Sequence, residues 1–234
     1  MGEPEPELTY LASAETALGT IYLLEREILS QPGTLVLELY FEHALLMSSL
    51  NTYSERELAR RAIEMRARGD LRVLVGGLGL GYTAREVLAS KQVASLEVIE
   101  FLPELIDWFE RGVIPLAGEL RRDPRFSLRQ GDVYQLLGGP PPARRYDLIL
   151  IDVDHAPEEH LDDLNRSFYT ESALRDAREH LAPDGILGVW SYAESPAFAA
   201  LLGRVFREVR VDRLRYTNPA LEEEEVNWLF LARG

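Results

Sequence analysis

The chain has 234 residues, 46% of them hydrophobic, with no cysteine and a net charge of −14. This size fits one large domain, or one domain with an appendage. The composition excludes disulfides, thiolate metal sites and cysteine nucleophiles, and argues against nonspecific binding to nucleic acid or an anionic membrane.

The same negative field would attract a cationic substrate. No apolar run approaches the ~20 residues of a membrane span. The start, MGEPEPEL, is acidic and lacks the apolar centre of a signal peptide, so a cytoplasmic protein is expected. Residues 1–7 read as a disordered Pro/Glu lead-in. From Thr9 to about Leu50 the pattern is strand-like. Residues 19–24 and 34–41 are rich in β-formers, and Gln31-Pro32-Gly33 marks a turn between them. This predicts a small N-terminal β region over residues 1–50. Residues 54–68 change to a helical period, with Leu58, Ala59, Ala62, Ile63 and Met65 on one face and Ser54 with Glu57 as a capping box.

Strands and helices then alternate over residues 51–234. Strand 71–75 runs into Gly76, Gly77, Gly79 and Gly81 and feeds helix 82–90. Strand 95–100 leads to helix 103–111, and strand 125–129 to Gly131-Asp132 and a short helix 133–137. Strand 146–151 ends at Asp152. Helix 170–181, strand 185–190, helix 195–203, strand 205–213 and strand 226–232 complete the series. Such alternation predicts a Rossmann-like α/β fold with a buried, mostly parallel sheet of seven strands. The last two strands have no helix between them, so an antiparallel hairpin closes the sheet.

In this architecture ligand groups gather at the carboxyl ends of the strands. Gly77, Gly79 and Gly81 form a turn where a cofactor's polar edge can approach the backbone. Glu100, 19 residues beyond Gly81, is placed to accept both hydroxyls of a ribose. Asp132 is placed to accept from an adenine amino group. Asp152-Val153-Asp154-His155 follows the fourth strand. Bland alternatives stand beside these readings. Glu100 can serve the dipole of the next helix, Asp132 can cap residues 133–137, and Asp152 and Asp154 can cap a loop. His155 reads as a solvated loop residue, although His160 and nearby acids leave a metal site open; no metal is expected. The run Glu222 to Glu225 reads either as a solvated loop or as a rim that attracts amines.

These segments resemble the polyamine aminopropyltransferase (spermidine synthase) family, which has the class I S-adenosylmethionine-dependent methyltransferase fold. The resemblance rests on VLVGGLGLGYTAREVL, Ile99-Glu100 with Pro103-Glu104, Asp123-Pro124-Arg125 with Gly131-Asp132, and Tyr146 to Asp152. It also rests on Phe168-Tyr169, on Leu181 to Leu187, and on Tyr53-Ser54-Glu55, which stands where the family has Tyr-His-Glu. It covers roughly residues 45–195. Leu80 stands where the family carries an aspartate, and the second aspartate after the fourth strand falls on His155 or shifts to Asp154. The acceptor half of the site thus reads as depleted of charge, which points to an altered acceptor, because a desolvated ammonium needs a partner.

The resemblance implies a transferase of polyamine biosynthesis that uses S-adenosylmethionine or its decarboxylated form as donor. Gly77, Gly79, Gly81, Glu100 and Asp132 would bind the donor. Asp152 would be the catalytic base, and Tyr53, Asp154 and His155 would face a small, cationic acceptor. A homodimer is expected. The alternatives are methyl transfer from intact S-adenosylmethionine and a non-catalytic nucleotide-binding relative.

Overall fold

A computed structural model describes residues 8–28, 31, 33–153, 168–218 and 223–234. The N-terminal strands β1 (Leu8–Glu15), β2 (Thr20–Glu27), β3 (Leu35–Phe41) and β4 (Ala44–Ser48) form an antiparallel sheet in chain order. Only the two central strands carry a strong β signature in the sequence. β1 turns Leu8, Tyr10 and Leu11 outward. β4 follows a tight reversal in which Glu42 takes a left-handed φ of 52°.

Helix α1 (Tyr53–Arg66) leads into the second sheet. Its cap differs from expectation. Thr52 is the N-cap and its side chain makes no capping bond. Ser54 lies inside the helix and donates to Glu55 Oε2 instead, while Glu57 pairs with Arg60 and Arg61. The larger sheet contains β5 (Leu71–Gly76), β6 (Val93–Glu100), β7 (Phe126–Gln130), β8 (Tyr146–Ile151), β9 (Leu181–Ser191), β10 (Glu208–Thr217) and β11 (Glu224–Arg233). Their order is β10-β11-β9-β8-β5-β6-β7. Strands β5 to β9 are parallel, and β11 runs antiparallel between β9 and β10. This is the seven-stranded architecture that the alternation predicts.

Both faces of the sheet are covered, so its central strands are apolar throughout. Val73, Val75, Leu148 and Leu150 enter one core with residues of α1, α2 (Tyr82–Ala89), α3 (Pro103–Glu110) and α4 (Ala117–Leu120). Leu74, Ile149 and Ile151 point the other way, towards α5 (Val133–Gly138), α6 (Glu171–Glu179) and α7 (Pro196–Val205). Most sequence boundaries hold within a residue or two. The larger differences lie in the C-terminal third. β9 begins at Leu181, four residues early, because it bulges between its pairings with Tyr146 and Leu148. Asp184 takes a φ of 61° in that bulge. β10 starts at Glu208 because α7 continues to Val205.

The strand order reverses between β5 and β8. From β5 the chain builds outward through β6 and β7, and from β8 through β9 on the other side. Strand ends diverge at such a switch point and leave a crevice at their carboxyl ends.

Candidate active site

The crevice is a cavity of about 570 Å³ that extends from the glycine turn to the β10–β11 hairpin and is roofed in part by β4. At one end Gly76 closes β5, and Gly77 N–H donates to Ile99 O at 2.9 Å. Gly77 and Gly79 have φ of 94° and 50° and line the cavity. A Cβ on Gly77 would lie 2.5 Å from the Asp152 carbonyl oxygen, and one on Gly79 2.5 Å from Met47 Sδ. Close approach of two backbones therefore requires glycine at 77. Gly81 behaves differently. It is the N-cap of α2, a Cβ there would meet Leu120, and it is not part of the cavity wall. The structure places it where α2 packs on α4. Leu80 is buried, its amide pointing at Met47 Sδ.

Glu100 ends β6 and is buried. Its Oε2 accepts from Leu78 N–H at 2.8 Å and its Oε1 from Leu102 N–H at 2.9 Å. Burial pushes this carboxyl up, and the backbone amides oppose that shift. Glu100 therefore grips the glycine turn as well as the start of α3 while still facing the cavity. Asp132 likewise does two things. Its Oδ1 caps α5 through Tyr134 N–H and Gln135 N–H at 2.8 and 3.3 Å, and the residue lines the cavity.

The other end is built around Asp152. Its backbone N–H donates to Gly76 O, and its Oδ2 accepts from Thr83 Oγ1 at 2.6 Å. Burial pushes its carboxyl up, with the Thr83 hydroxyl opposing. Across the cavity, α1 presents Glu55, buried, which accepts from Ser54 Oγ at 2.9 Å. Burial, and then the neighbouring Asp152 charge, push Glu55 up to about 7. Glu225 on β11 completes the group. Asn51 Nδ2 and Tyr216 OH each donate to its Oε2 at 2.9 Å, and Asn218 Nδ2 donates to its Oε1. Trp190, Tyr192, Tyr82 and Tyr216 supply aromatic wall.

Glu100, Asp132, Asp152, Gly77 and Gly79 are thus gathered as the sequence implies. Tyr53 is not. It is 39% exposed and packs on Tyr216 with ring centroids 5.0 Å apart, outside the cavity wall. Helix α1 starts at Tyr53, so Glu55 rather than Tyr53 shares the inward face with Leu58, Ala59 and Ala62. That spacing is visible in the sequence and identifies Glu55. Asp154 and His155 lie outside the described residues. The expectation of an acceptor end poor in charge is corrected by Glu55 and Glu225, which the local motifs did not single out as facing Asp152. Among the described residues no group of three or more His, Asp or Glu is arranged to hold a metal ion, and no helix is long and apolar enough to cross a membrane.

Five carboxylates line this cavity (Glu55, Glu100, Asp132, Asp152 and Glu225) and, among the described residues, no lysine, arginine or histidine does.

No family model matches the chain. A curated polyamine aminopropyltransferase from Oceanobacillus iheyensis is 27% identical over 165 residues, covering 70% of this chain and 31% of that protein. The chain thus spans under a third of that relative in the matched region. The crystal structure of spermidine synthase from Thermotoga maritima superposes with a TM-score of 0.72 at 18% identity, covering 96% of this chain and 72% of that one. A spermidine synthase in complex with the transition state analogue AdoDATO gives 0.71 at 18% identity, with the same coverage. The resemblance read from the sequence is therefore matched in sequence and in fold.

Proposed function

We propose that this chain transfers an aminopropyl group from decarboxylated S-adenosylmethionine to a small amine, yielding a polyamine. The observation that carries the reading is the charge of the cavity wall, with five carboxylates and no cationic side chain among the described residues. Intact S-adenosylmethionine brings a carboxylate that needs a cationic partner, and burying it beside like charges is costly. The decarboxylated donor and a protonated amine bring only positive charge. The similarity to a polyamine aminopropyltransferase and to spermidine synthases supports the same reading.

The sulfonium of the donor supplies an activated carbon and a neutral thioether leaving group. The chain's residues do the rest. Gly77 and Gly79 bring backbone against the adenosine, Glu100 accepts from the ribose and Asp132 from the adenine. Asp152 removes a proton from the acceptor ammonium. The nitrogen lone pair then forms the new N–C bond as the C–S bond breaks and its electrons go to sulfur, leaving methylthioadenosine. A carboxylate raised by burial suits this proton transfer better than an ordinary one, since its basicity moves toward that of the amine. Positioning of two bound reactants supplies much of the remaining acceleration.

Titration calorimetry with both donors tests the proposal. Decarboxylated S-adenosylmethionine should bind at least about tenfold more tightly than the intact form, a difference of about 1.4 kcal/mol. Equal affinity, or preference for the intact form, would replace aminopropyl with methyl transfer. A homodimer belongs to the same reading, supported by Leu8, Tyr10, Leu11 and Leu35 exposed on the N-terminal sheet. Light scattering should give twice the 26.5 kDa chain mass, and a monomer mass would remove the dimer.

A further inference from the structure

Glu55 is not needed for the chemistry assigned to Asp152, yet it is buried on the same cavity wall. Its donors are the Ser54 hydroxyl and its own backbone amide, both neutral. Asp152 has the Thr83 hydroxyl, also neutral, on Oδ2. Among the described residues, the titratable groups facing Glu55 are Asp152 at the end of β8, Glu225 on β11, Tyr216 on β10 and Tyr82 on α2. Each is anionic or neutral. Two carboxylates in one buried site, with no cation on its wall among the described residues, cannot both ionise at ordinary cost.

Resting on the functional reading above, we propose that Glu55 and Asp152 hold one proton between them while the acceptor end is empty, and that the ammonium of an acceptor amine displaces it. On binding, the O–H bond of the Glu55 carboxyl breaks and its electron pair stays on the carboxylate oxygen. The proton leaves to solvent, and the incoming ammonium supplies the positive charge in its place. Glu55 then contacts the ammonium alongside Asp152, and both are ionised when Asp152 is required to act as base. Proton displacement makes acceptor affinity depend on pH. Below neutrality the amine must expel the proton from Glu55, so its binding weakens, whereas above that range Glu55 is already ionised and the penalty vanishes.

The probe is 1,4-diaminobutane, titrated into the full chain saturated with 5′-methylthioadenosine, in two buffers of different ionisation enthalpy. At pH 7 about half a proton should be released per amine bound, rising toward about one at pH 6 and vanishing by about pH 9. Glu55→Gln should bind methylthioadenosine as the native chain does and release no proton on amine binding. Amine binding with no release at pH 6 to 7 overturns the inference, as does equal release from the variant, or failure of the amine to bind the nucleoside-loaded protein. The pH series on the native chain decides the matter even where the variant misfolds, which lost nucleoside binding would reveal. Methylthioadenosine that does not bind the native chain overturns the functional reading itself, a separate outcome.

Discussion

The two ends of the cavity hold their carboxylates by different means. At the glycine end, Glu100 and Asp132 take backbone N–H groups of Leu78, Leu102, Tyr134 and Gln135. At the β8 end, the donors to Asp152, Glu55 and Glu225 among the described residues are neutral side chains apart from Glu55's own amide, namely the hydroxyls of Thr83 and Ser54, the Tyr216 phenol and the amides of Asn51 and Asn218. A backbone donor belongs to a fixed element, so the acids it grips also shape the turn and the helix starts. A buried carboxylate held by neutral hydroxyls keeps an unmet demand for positive charge. The glycine end is thus a mould, and the β8 end a receptor for cations.

The largest expected effect falls on the β8 end. Asp152→Asn keeps the size of the side chain and removes the proton acceptor. Turnover should fall by roughly 10²- to 10⁴-fold with nucleoside affinity unchanged, measured by product formation and calorimetry. Unchanged turnover would remove Asp152 as the base and dissolve the division of labour. Glu55 gives the next effect. Its folded-state pKa stands above its unfolded value, so the stability it confers is fully present below the unfolded pKa, near 4.5, and is lost as pH rises through about 7. The loss is on the order of 3 kcal/mol. Chemical denaturation should therefore show Glu55→Gln gaining stability over the native chain at pH 8 and little or none at pH 5. A gain equal at both pH values would place Glu55 outside any charge-starved site.

The mould is tested by glycine substitution. Gly77→Ala adds a Cβ at a φ of 94°, 2.5 Å from the Asp152 carbonyl oxygen. Backbone cannot yield there as a side chain can, and a cost of about 1 to 3 kcal/mol is expected, with loss of nucleoside affinity. Gly79→Ala should cost less. Its φ is 50°, and the atom it meets is Met47 Sδ, the end of a flexible side chain. Thermal melts of the two variants order them, and a reversed order would mean that β4, not β8, fixes the turn.

The mould was more legible in the sequence than the receptor, and the reason is local. The glycine turn and Glu100 each sit at the end of a strand whose apolar residues announce it, and Asp132 follows Gly131 directly after the short strand β7. Leu74 to Gly76 and Val98 to Glu100 place their functional residue by counting alone. The receptor is assembled from α1, β8, β10 and β11, so its members are far apart in the chain. Asn51 and Glu225, partners at 2.9 Å, are separated by 174 residues. Glu225 belongs to the run Glu222 to Glu225, which reads either as a solvated loop or as a rim that attracts amines, and the insertion of β11 between β9 and β10 sets it on the cavity wall. In Tyr53-Ser54-Glu55 the resemblance marks the tyrosine, while the register of α1 places the acid two residues later on the buried face.

The smallest effect separates a hydroxyl that tunes from one that merely fills space. Thr83→Val preserves shape and deletes the 2.6 Å bond to Asp152 Oδ2. That bond favours the ionised carboxylate and so opposes the upward push of burial. Without it the Asp152 carboxyl rises further, and a base must be ionised to act. The acidic limb of the kcat/KM profile should therefore move to higher pH by up to about one unit, worth about 1.4 kcal/mol, with the plateau rate nearly unchanged. Because Val fills the same volume, packing loss should not contribute. A lowered plateau with an unmoved limb would mean that Thr83 positions the Asp152 side chain rather than setting its basicity, and would make this end of the cavity a mould as well.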